Sequence, residues 1–202
     1  MNLPHAWAHG IYLLAWLSFG AGHSFLAGRR LQALFGARAR LAFNVIALIH
    51  FGIIFEIGVW AFAGLPRFAV SGWGWSALTA MAVGGWALLF LALGSYDLGK
   101  FSGLAQIRAA RAGANVVVDD EPLITQGFHA YVRHPLYSAA ILILWGAAWN
   151  DLGLATAVWG SLYLLIGSRF EERRLARLHG DAYRTYRKKV PAFLPWRGKV
   201  LR

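Results

Sequence analysis

Residues 136–168 read LYSAAILILWGAAWNDLGLATAVWGSLYLLIGS, and this stretch decides the fold. Two apolar runs without any charge, Leu136–Trp149 and Leu152–Ser168, flank the short polar break Asn150–Asp151. A single membrane-spanning helix needs about 20 apolar residues, so each run is short for a full span. The pattern predicts a tight helical hairpin that buries part of its length in the protein.

Three longer apolar stretches precede this hairpin, at Ala6–Ala27, Leu41–Leu65 and Trp75–Gly94. The whole chain is 58% hydrophobic and 14% charged, whereas soluble domains are about 45–50% apolar and about 25% charged. This composition excludes both a water-soluble globule and a disordered chain. We therefore predict an all-α integral membrane protein with about five transmembrane helices.

The 202 residues are predicted to form a single integral-membrane domain. Residues 1–94 supply three scaffold spans, residues 95–134 a cytoplasmic connection with a helical patch, and residues 135–202 the hairpin and a tail. Within Glu171–Lys189, apolar and aromatic side chains recur at the spacing of an amphipathic, interfacial helix. Pro191 and Pro195 end this cytoplasmic C-terminal helix.

Basic residues lie almost entirely on one side of the predicted spans. Nineteen of the 20 Lys and Arg follow span one, span three or span five, and Arg67 is the exception. By the positive-inside rule, the N-terminus lies outside and the C-terminus lies in the cytoplasm of a multi-pass inner-membrane protein. The net charge of +11 is then mainly a topology signal, with a weaker affinity for anionic lipid headgroups. Nucleic acid is not predicted as a partner, because no recognition motif accompanies the charge.

A first polar cluster, Arg133-His134-Pro135, stands at the start of the hairpin. Proline at the first helical position is a routine helix start. The N–H groups and positive dipole end of that helix suit an anionic ligand group, and Arg133 adds a forked donor for a carboxylate. The alternative is that Arg133 and His134 only face lipid headgroups at the membrane boundary.

A second cluster, Glu171 and Glu172, follows the end of the hairpin. One interpretation is a solvated helix whose acids pair with neighbouring arginines. The other is that one acid faces inward and binds hydroxyl groups or a positive charge. Because a hairpin brings both clusters to the same side, a zwitterionic ligand would match them together. Tyr183 and Tyr186, three residues apart, either line the roof of such a pocket or anchor an interfacial helix.

Other polar residues give weaker signals. The absence of cysteine excludes disulfides, thiolate nucleophiles and Cys-ligated metals. His5 and His9 are four residues apart, but no carboxylate accompanies them, so no metal site is predicted. His23, His50 and Glu56 lie inside predicted spans. Such groups either serve function or form hydrogen bonds across helices.

The order of these motifs resembles the isoprenylcysteine carboxyl methyltransferase superfamily, whose members include phospholipid methyltransferases. The pattern is Arg-His-Pro-x-Tyr, an apolar run, Glu-Glu-x-x-Leu, Gly-x-x-Tyr-x-x-Tyr and Val-Pro-x-x-x-Pro, and it covers residues 127–196. Ala139 stands where the family often has glycine, and His179 precedes Gly180 where phenylalanine is common. A second, weaker similarity, around His23-Ser24 and Tyr96-Asp97, is to bacterial methanethiol S-methyltransferases and to a denitrification-associated membrane family.

The resemblance implies an S-adenosylmethionine-dependent methyltransferase that binds its donor on the cytoplasmic side of the last two spans. The residues that it implies as donor contacts are Arg133, His134, Tyr137, Glu171 and Glu172. Tyr183 and Tyr186 are predicted to bind the donor as well, because it is expected to enter from the cytoplasm past them. Arg133 would take the donor carboxylate, and Glu171 or Glu172 the ribose hydroxyls or the amino group. Arg133, Arg169 and Glu172 are the implied catalytic residues, the arginines because cations favour ionisation of a thiol acceptor.

The methyl acceptor is expected to be small or lipid-soluble, since the chain has no large extramembrane domain. A thiol, a carboxylate and a lipid amine all stay open. The alternative function is a non-enzymatic membrane assembly or binding protein that retains the methyltransferase fold. A reductase, by analogy of fold alone, is a third possibility.

Overall fold

The structure of the protein is a computed structural model, which describes residues 4–27, 33–65, 68, 70–114 and 122–200. No strand occurs among these residues, which confirms the all-α prediction. The helices are α1 (His5–Leu26), α2 (Ala39–Ala61), α3 (Gly72–Leu93), α4 (Leu98–Ser102), α5 (Leu104–Arg111), α6 (Pro135–Gly146) and α7 (Asp151–Lys189). Short 3-10 turns lie at Gly36–Arg38 and Gly127–Ala130.

Three helical stretches in the described part of the chain are long and apolar enough to cross a membrane. They are Ala33–Ala61, Gly72–Leu93 and Asp151–Lys189, while Pro135–Gly146 is apolar but shorter. These helices are those of a multi-pass membrane protein, but the count of five spans is not confirmed. Helix α1 has 22 residues, three of them histidines, and it is not one of these three stretches. Four residues of the charge argument, Arg29, Arg30, Arg67 and Arg202, lie outside the described ranges.

The chain divides into two compact units. The first unit contains residues 1–66 and 96–120, and the second contains residues 67–95 and 121–202. In the first unit, α1 packs on α2. In the second, α3 packs on α6, and α6 packs on α7. Helix α3 therefore belongs with the hairpin, and not with the two spans with which sequence alone had grouped it.

Helices α3 and α6 approach each other backbone to backbone at two glycines. A Cβ built on Gly85 would lie 2.8 Å from the backbone nitrogen of Ile143, and one on Gly146 would overlap the backbone nitrogen of Ala82. In an apolar environment, such close approach provides the dispersion contacts that hold helices together. The small residues in these spans thus position α6, whose first turn carries site residues.

The hairpin predicted from the break at Asn150–Asp151 is present. Helix α6 ends at Gly146 and α7 begins at Asp151. Asn150 caps α7, since its Oδ1 accepts a hydrogen bond of 2.7 Å from the backbone nitrogen of Gly153. The turn brings the start of α6 and the later part of α7 to the same end of the hairpin.

Helix α7 is 39 residues long and breaks at Gly180, whose backbone has φ 55° and ψ −127°. Residues with a Cβ rarely adopt this conformation, so glycine is needed here. Residues 151–179 continue the apolar run directly into the charged region, and residues 181–189 form a redirected last segment. A separate amphipathic helix from Glu171 to Lys189 is therefore not confirmed. The break turns Tyr183 and Tyr186 into the protein, where both are buried.

The glycine contact between α3 and α6 gives a matched pair of variants. We expect Gly85→Ala to lower the free energy of unfolding by about 1–3 kcal/mol, because the added methyl group meets backbone atoms that cannot move aside. Gly84→Ala is the control, since nothing lies within 4 Å of a Cβ at that position. Thermal unfolding of both variants in the same detergent measures the difference. Equal stabilities of the two variants would contradict the close packing described here.

Candidate functional site

The candidate site lies wholly within the second unit, at the end of the hairpin away from its turn. Arg133 and His134 stand just before α6, and Tyr137 lies in its first turn. Glu171 and Glu172 lie on α7, three and four residues beyond the apolar run Leu152–Ser168. The structure therefore brings together the two clusters that the sequence placed at one end of a hairpin.

Arg133 and Glu172 form a buried ion pair. The Nε and Nη2 atoms of Arg133 donate to Oε1 of Glu172 at 2.9 and 2.6 Å. The two side chains are only 11% and 6% exposed. Nη1 of Arg133 donates to the carbonyl oxygens of Arg187 and Val190. The guanidinium is thus largely satisfied by the protein itself, which leaves little of it for a ligand carboxylate.

His134 stands between the two carboxylates. Its Nε2 lies 3.1 Å from Oε1 of Glu172, and its Nδ1 lies 3.4 Å from Oε2 of Glu171. The ring stacks on Tyr137 with a centroid distance of 5.3 Å and on Phe193 with one of 5.5 Å. These contacts fix both the position and the plane of the imidazole.

The ionisation of this cluster follows from its contacts. Burial acts to raise the pKa of Glu172, but hydrogen bonds from His134 and Arg133 outweigh it and lower the pKa to about 2. Burial acts to lower the pKa of His134, but its contacts with the carboxylates of Glu171 and Glu172 outweigh it and raise the pKa. The pKa of Glu171 is lowered, because its contacts with His134 overcome the effect of burial. The cluster therefore joins two carboxylates, Glu171 and Glu172, to the guanidinium groups of Arg133 and Arg187 and to the imidazole of His134, with Nε of Arg187 at 3.5 Å from Oε2 of Glu172.

The two tyrosines differ in the use of their hydroxyl groups. Tyr186 donates a hydrogen bond of 2.7 Å to the carbonyl oxygen of His129. The Tyr183 hydroxyl is buried and has no hydrogen-bond partner among the described residues. Burial, together with the charge of Glu172, raises the pKa of Tyr183 to about 12, so this hydroxyl keeps its proton and acts as a donor.

Glu171 is the second group whose bonding capacity is not filled. Its Oε2 lies 3.4 Å from Nδ1 of His134, a contact that falls short of a well-formed hydrogen bond, so within the described part of the chain this buried atom has no full hydrogen-bond partner. Its side chain is 33% exposed, whereas that of Glu172 is 6% exposed. Buried polar atoms in proteins are normally hydrogen-bonded. Oε2 of Glu171 and the hydroxyl of Tyr183 are therefore the two atoms of the site that a ligand is best placed to satisfy.

Residues 190–200, which we call the C-terminal strap, complete the site and were not predicted from sequence. Backbone nitrogens of Arg133 and His134 donate to the carbonyl oxygens of Pro191 and Ala192 at 2.8 and 3.0 Å. The Ser138 hydroxyl donates to the carbonyl oxygen of Phe193 at 2.8 Å. The motif Val-Pro-x-x-x-Pro marks the segment as non-helical, but it carries no sign of these partners.

Arg169 does not join the cluster. It is exposed on α7, and within the described ranges no hydrogen bond or ion pair links it to the site.

The polar residues that the sequence placed inside the first spans lie in the first unit. The Ser18 hydroxyl lies 3.1 Å from Nε2 of His50, and this contact joins α1 to α2. His23 packs edge-on against Phe43, and Glu56 is exposed.

A comparison of the chain with curated proteins finds that it is similar to methyltransferases. The chain is 37% identical over 76 residues to the methanethiol S-methyltransferase of Crocosphaera subtropica, which is 37% of this chain and 30% of that protein. It is 38% identical over 73 residues to methanethiol S-methyltransferase 1 of Bradyrhizobium diazoefficiens, which is 36% of this chain and 26% of that protein. It is 34% identical over 120 residues to the protein-S-isoprenylcysteine O-methyltransferase of Schizosaccharomyces pombe, 54% of this chain and 48% of that protein.

These relatives confirm the resemblance that the motifs carry. The chain is similar to the isoprenylcysteine methyltransferase group and to methanethiol S-methyltransferases. It matches about a quarter to a half of the length of these curated relatives. No protein-family model matches the chain. No solved structure matches it either.

The two tyrosines provide a test of how the site is held together. We expect Tyr186→Phe to lower the free energy of unfolding by about 1 kcal/mol, because it leaves a carbonyl oxygen without its hydrogen bond. Tyr183→Phe should leave stability unchanged or slightly raised, since it removes a buried hydroxyl that has no partner. Denaturant or thermal unfolding in detergent compares them. A larger loss in Tyr183→Phe than in Tyr186→Phe would contradict this division.

The ion pair predicts an acid transition. The pKa of Glu172 falls from 4.5 to about 2 on folding. The stabilisation from this carboxylate is therefore complete above about pH 4.5 and is lost as the pH falls towards 2. We expect Glu172→Gln to remove this part of the acid dependence. Asp181→Asn is the control, because Asp181 forms an exposed pair with Arg184. An unchanged acid profile in Glu172→Gln would count against the buried pair.

Proposed function

We propose that this protein is an integral-membrane methyltransferase that uses S-adenosylmethionine to methylate a small or lipid-soluble acceptor, either a thiol or a carboxylate. The names of its relatives support the reaction class. The observation that carries the proposal is the buried charged cluster with two unfilled polar atoms, Oε2 of Glu171 and the Tyr183 hydroxyl. The non-enzymatic alternative is not favoured, because the relatives described above are named as enzymes.

The residues of the site fit a zwitterionic donor that also carries hydroxyl groups. Glu171 has an unfilled acceptor oxygen for ribose hydroxyls or for an amino group. Tyr183 has an unfilled, protonated hydroxyl that donates. When bound, S-adenosylmethionine supplies a methyl group on a positively charged sulfur. The carboxylates of Glu171 and Glu172 suit that charge, and the aromatic rings of Tyr137 and Phe193 stack on His134 beside them.

In this proposal Arg133, His134 and Glu172 are mainly positioning residues. The N–H groups of Arg133 donate to Glu172 and to carbonyl oxygens of the chain. His134 holds Glu171 in place through Nδ1. Tyr186 anchors the last segment of α7 through His129. Arg169, predicted as catalytic because a nearby cation favours a thiolate, lies apart from this network, and we assign it no direct contact with the donor.

Methyl transfer is an in-line displacement, so the chain has mainly to align donor and acceptor. A carboxylate acceptor needs no base. A thiol acceptor has to lose a proton, and nearby positive charge favours the thiolate. We propose that the acceptor reaches the site from the bilayer, because the apolar runs end only a few residues before Glu171.

Donor binding tests the proposal directly. We expect Glu171→Gln and Tyr183→Phe each to weaken S-adenosylhomocysteine binding about 10- to 100-fold without loss of fold, because each removes one hydrogen bond or charge contact to the ligand. Glu172→Gln should weaken binding and stability together. Arg184→Gln, at an exposed ion pair, is the control. Calorimetry on purified protein measures the affinities.

The activity itself is tested with methanethiol and with a prenylated cysteine as acceptors, with detection of the volatile or extracted methylated product. If the protein binds the donor but methylates no thiol or carboxylate, the result would support the non-enzymatic binding protein instead. Failure of the wild-type protein to bind S-adenosylhomocysteine would remove the proposal altogether.

We further propose an inner-membrane protein in which residues 66–74 lie outside and the C-terminus lies in the cytoplasm. Five spans place a reporter in residues 66–74 and one after residue 202 on opposite sides. Three spans, with α6 not crossing, place both reporters on the same side, because only α3 and α7 separate them. We therefore expect opposite signals from paired phosphatase and fluorescent-protein fusions. Matching signals would overturn the five-span topology.

A further inference from the structure

The C-terminal strap has an inner surface that belongs to the site. Its carbonyl oxygens at Pro191, Ala192 and Phe193 accept hydrogen bonds from Arg133, His134 and Ser138. The backbone nitrogen of Val200 donates to the carbonyl oxygen of Ala130 at 3.0 Å. The strap therefore holds the backbone that leads into α6, including the two residues that contact Glu172.

The outer surface of the strap is apolar and basic. Leu194 is 75% exposed and Trp196 is 64% exposed. Residues 182–200 contain six basic residues and no acid: Arg184, Arg187, Lys188, Lys189, Arg197 and Lys199. Arg184 pairs with Asp181 and Arg187 with Glu172, which leaves Lys188, Lys189, Arg197 and Lys199 as the positive charge beside the two exposed apolar side chains. This combination is complementary to an anionic membrane surface.

Arg197 joins the two parts of this surface. Its guanidinium lies 5.3 Å from the centre of the Trp196 ring. Its Nη1 donates to the carbonyl oxygens of Lys188 and Lys189 at 2.9 and 3.0 Å, which closes the end of α7. The tryptophan is therefore held beside the basic end of the helix rather than on a free chain end. Tryptophan with neighbouring cations is the combination typical of the membrane interface.

These side chains are separate from the apolar runs that cross the membrane. Leu194 follows the end of the apolar run at Ser168 by more than twenty residues, most of them polar or charged. Exposed leucines within the spans face lipid tails as a matter of course, but Leu194 and Trp196 need another partner. Because the side chains around them are basic, the partner that fits best is the headgroup region of the same membrane.

We propose that the outer surface of the C-terminal strap docks on anionic lipid headgroups, with Leu194 and Trp196 at the boundary of the acyl chains. Docking holds the strap against Arg133 and His134 and so stabilises the geometry of the site. Anionic lipid then acts as an activator that raises donor affinity. This second consequence rests on the proposed function, whereas docking itself does not.

The absence of cysteine from the chain makes docking directly measurable. A single fluorophore is attached at Leu194→Cys, and a second protein carries it at Asp181→Cys as the control, because Asp181 is highly exposed but lies in a polar setting. Both are placed in nanodiscs of phosphatidylcholine alone or with one third phosphatidylglycerol, each containing a nitroxide-labelled lipid. We expect quenching at residue 194 that rises with phosphatidylglycerol, and little quenching at residue 181.

Equal quenching at both positions, or quenching at residue 194 that does not respond to phosphatidylglycerol, would overturn the proposal. A probe at residue 194 that stays unquenched in both membranes overturns it too, and leaves the surface to a protein partner. Because the readout is quenching, the result does not depend on whether the protein binds a methyl donor.

Donor affinity tests the link to the site. We expect phosphatidylglycerol to tighten S-adenosylhomocysteine binding several-fold in the wild-type protein, and to have no effect in the triple variant Lys188→Gln, Lys189→Gln, Lys199→Gln. Arg173→Gln is the control for loss of charge at an exposed position of α7. Affinity that is equal in both membranes would overturn the link and leave docking intact. No binding in either membrane would instead contradict the proposed function.

Discussion

The buried ion pair between Arg133 and Glu172 is the interaction on which the site depends. A buried charge is stable only when it is paired and hydrogen-bonded, and each of these charges is the main partner of the other. The same guanidinium also donates to the carbonyl oxygens of Arg187 and Val190. One side chain thus joins three parts of the chain: the entry to α6, the middle of α7 and the beginning of the C-terminal strap.

This constraint separates the residues that build the site from those that are left to bind. With Arg133 and His134 engaged, Glu172 is surrounded and nearly inaccessible, while Glu171 keeps an unfilled oxygen. Tyr186 is likewise committed to the backbone, whereas the Tyr183 hydroxyl is not. In each pair, one residue is committed to contacts within the protein, and the other is the residue that we propose to contact the donor.

The sequence was sufficient for the hairpin and for the meeting of the two clusters. Asn150–Asp151 interrupts an apolar run, Pro135 marks a helix start, and a hairpin can only bring Arg133 and Glu172 to the same end. The sequence could not decide whether Glu171 or Glu172 is the buried carboxylate. Adjacent helical residues point about 100° apart, and the sequence does not say which direction faces inward. The contacts of the C-terminal strap could not be predicted either, because backbone carbonyl oxygens accept hydrogen bonds whatever the side chains are.

The break at Gly180 has a consequence for how the site is encoded. In an unbroken helix, Tyr183 would lie about 16 Å along the axis from Glu172, yet the break brings its hydroxyl close enough to respond to the charge of that carboxylate. One helix therefore contributes to the same site from two separate segments. All the contacts of the site described above join residues between 129 and 200, a single uninterrupted length of chain. The helices before residue 129 supply none of these contacts, and α3 acts on the site only through its packing against α6.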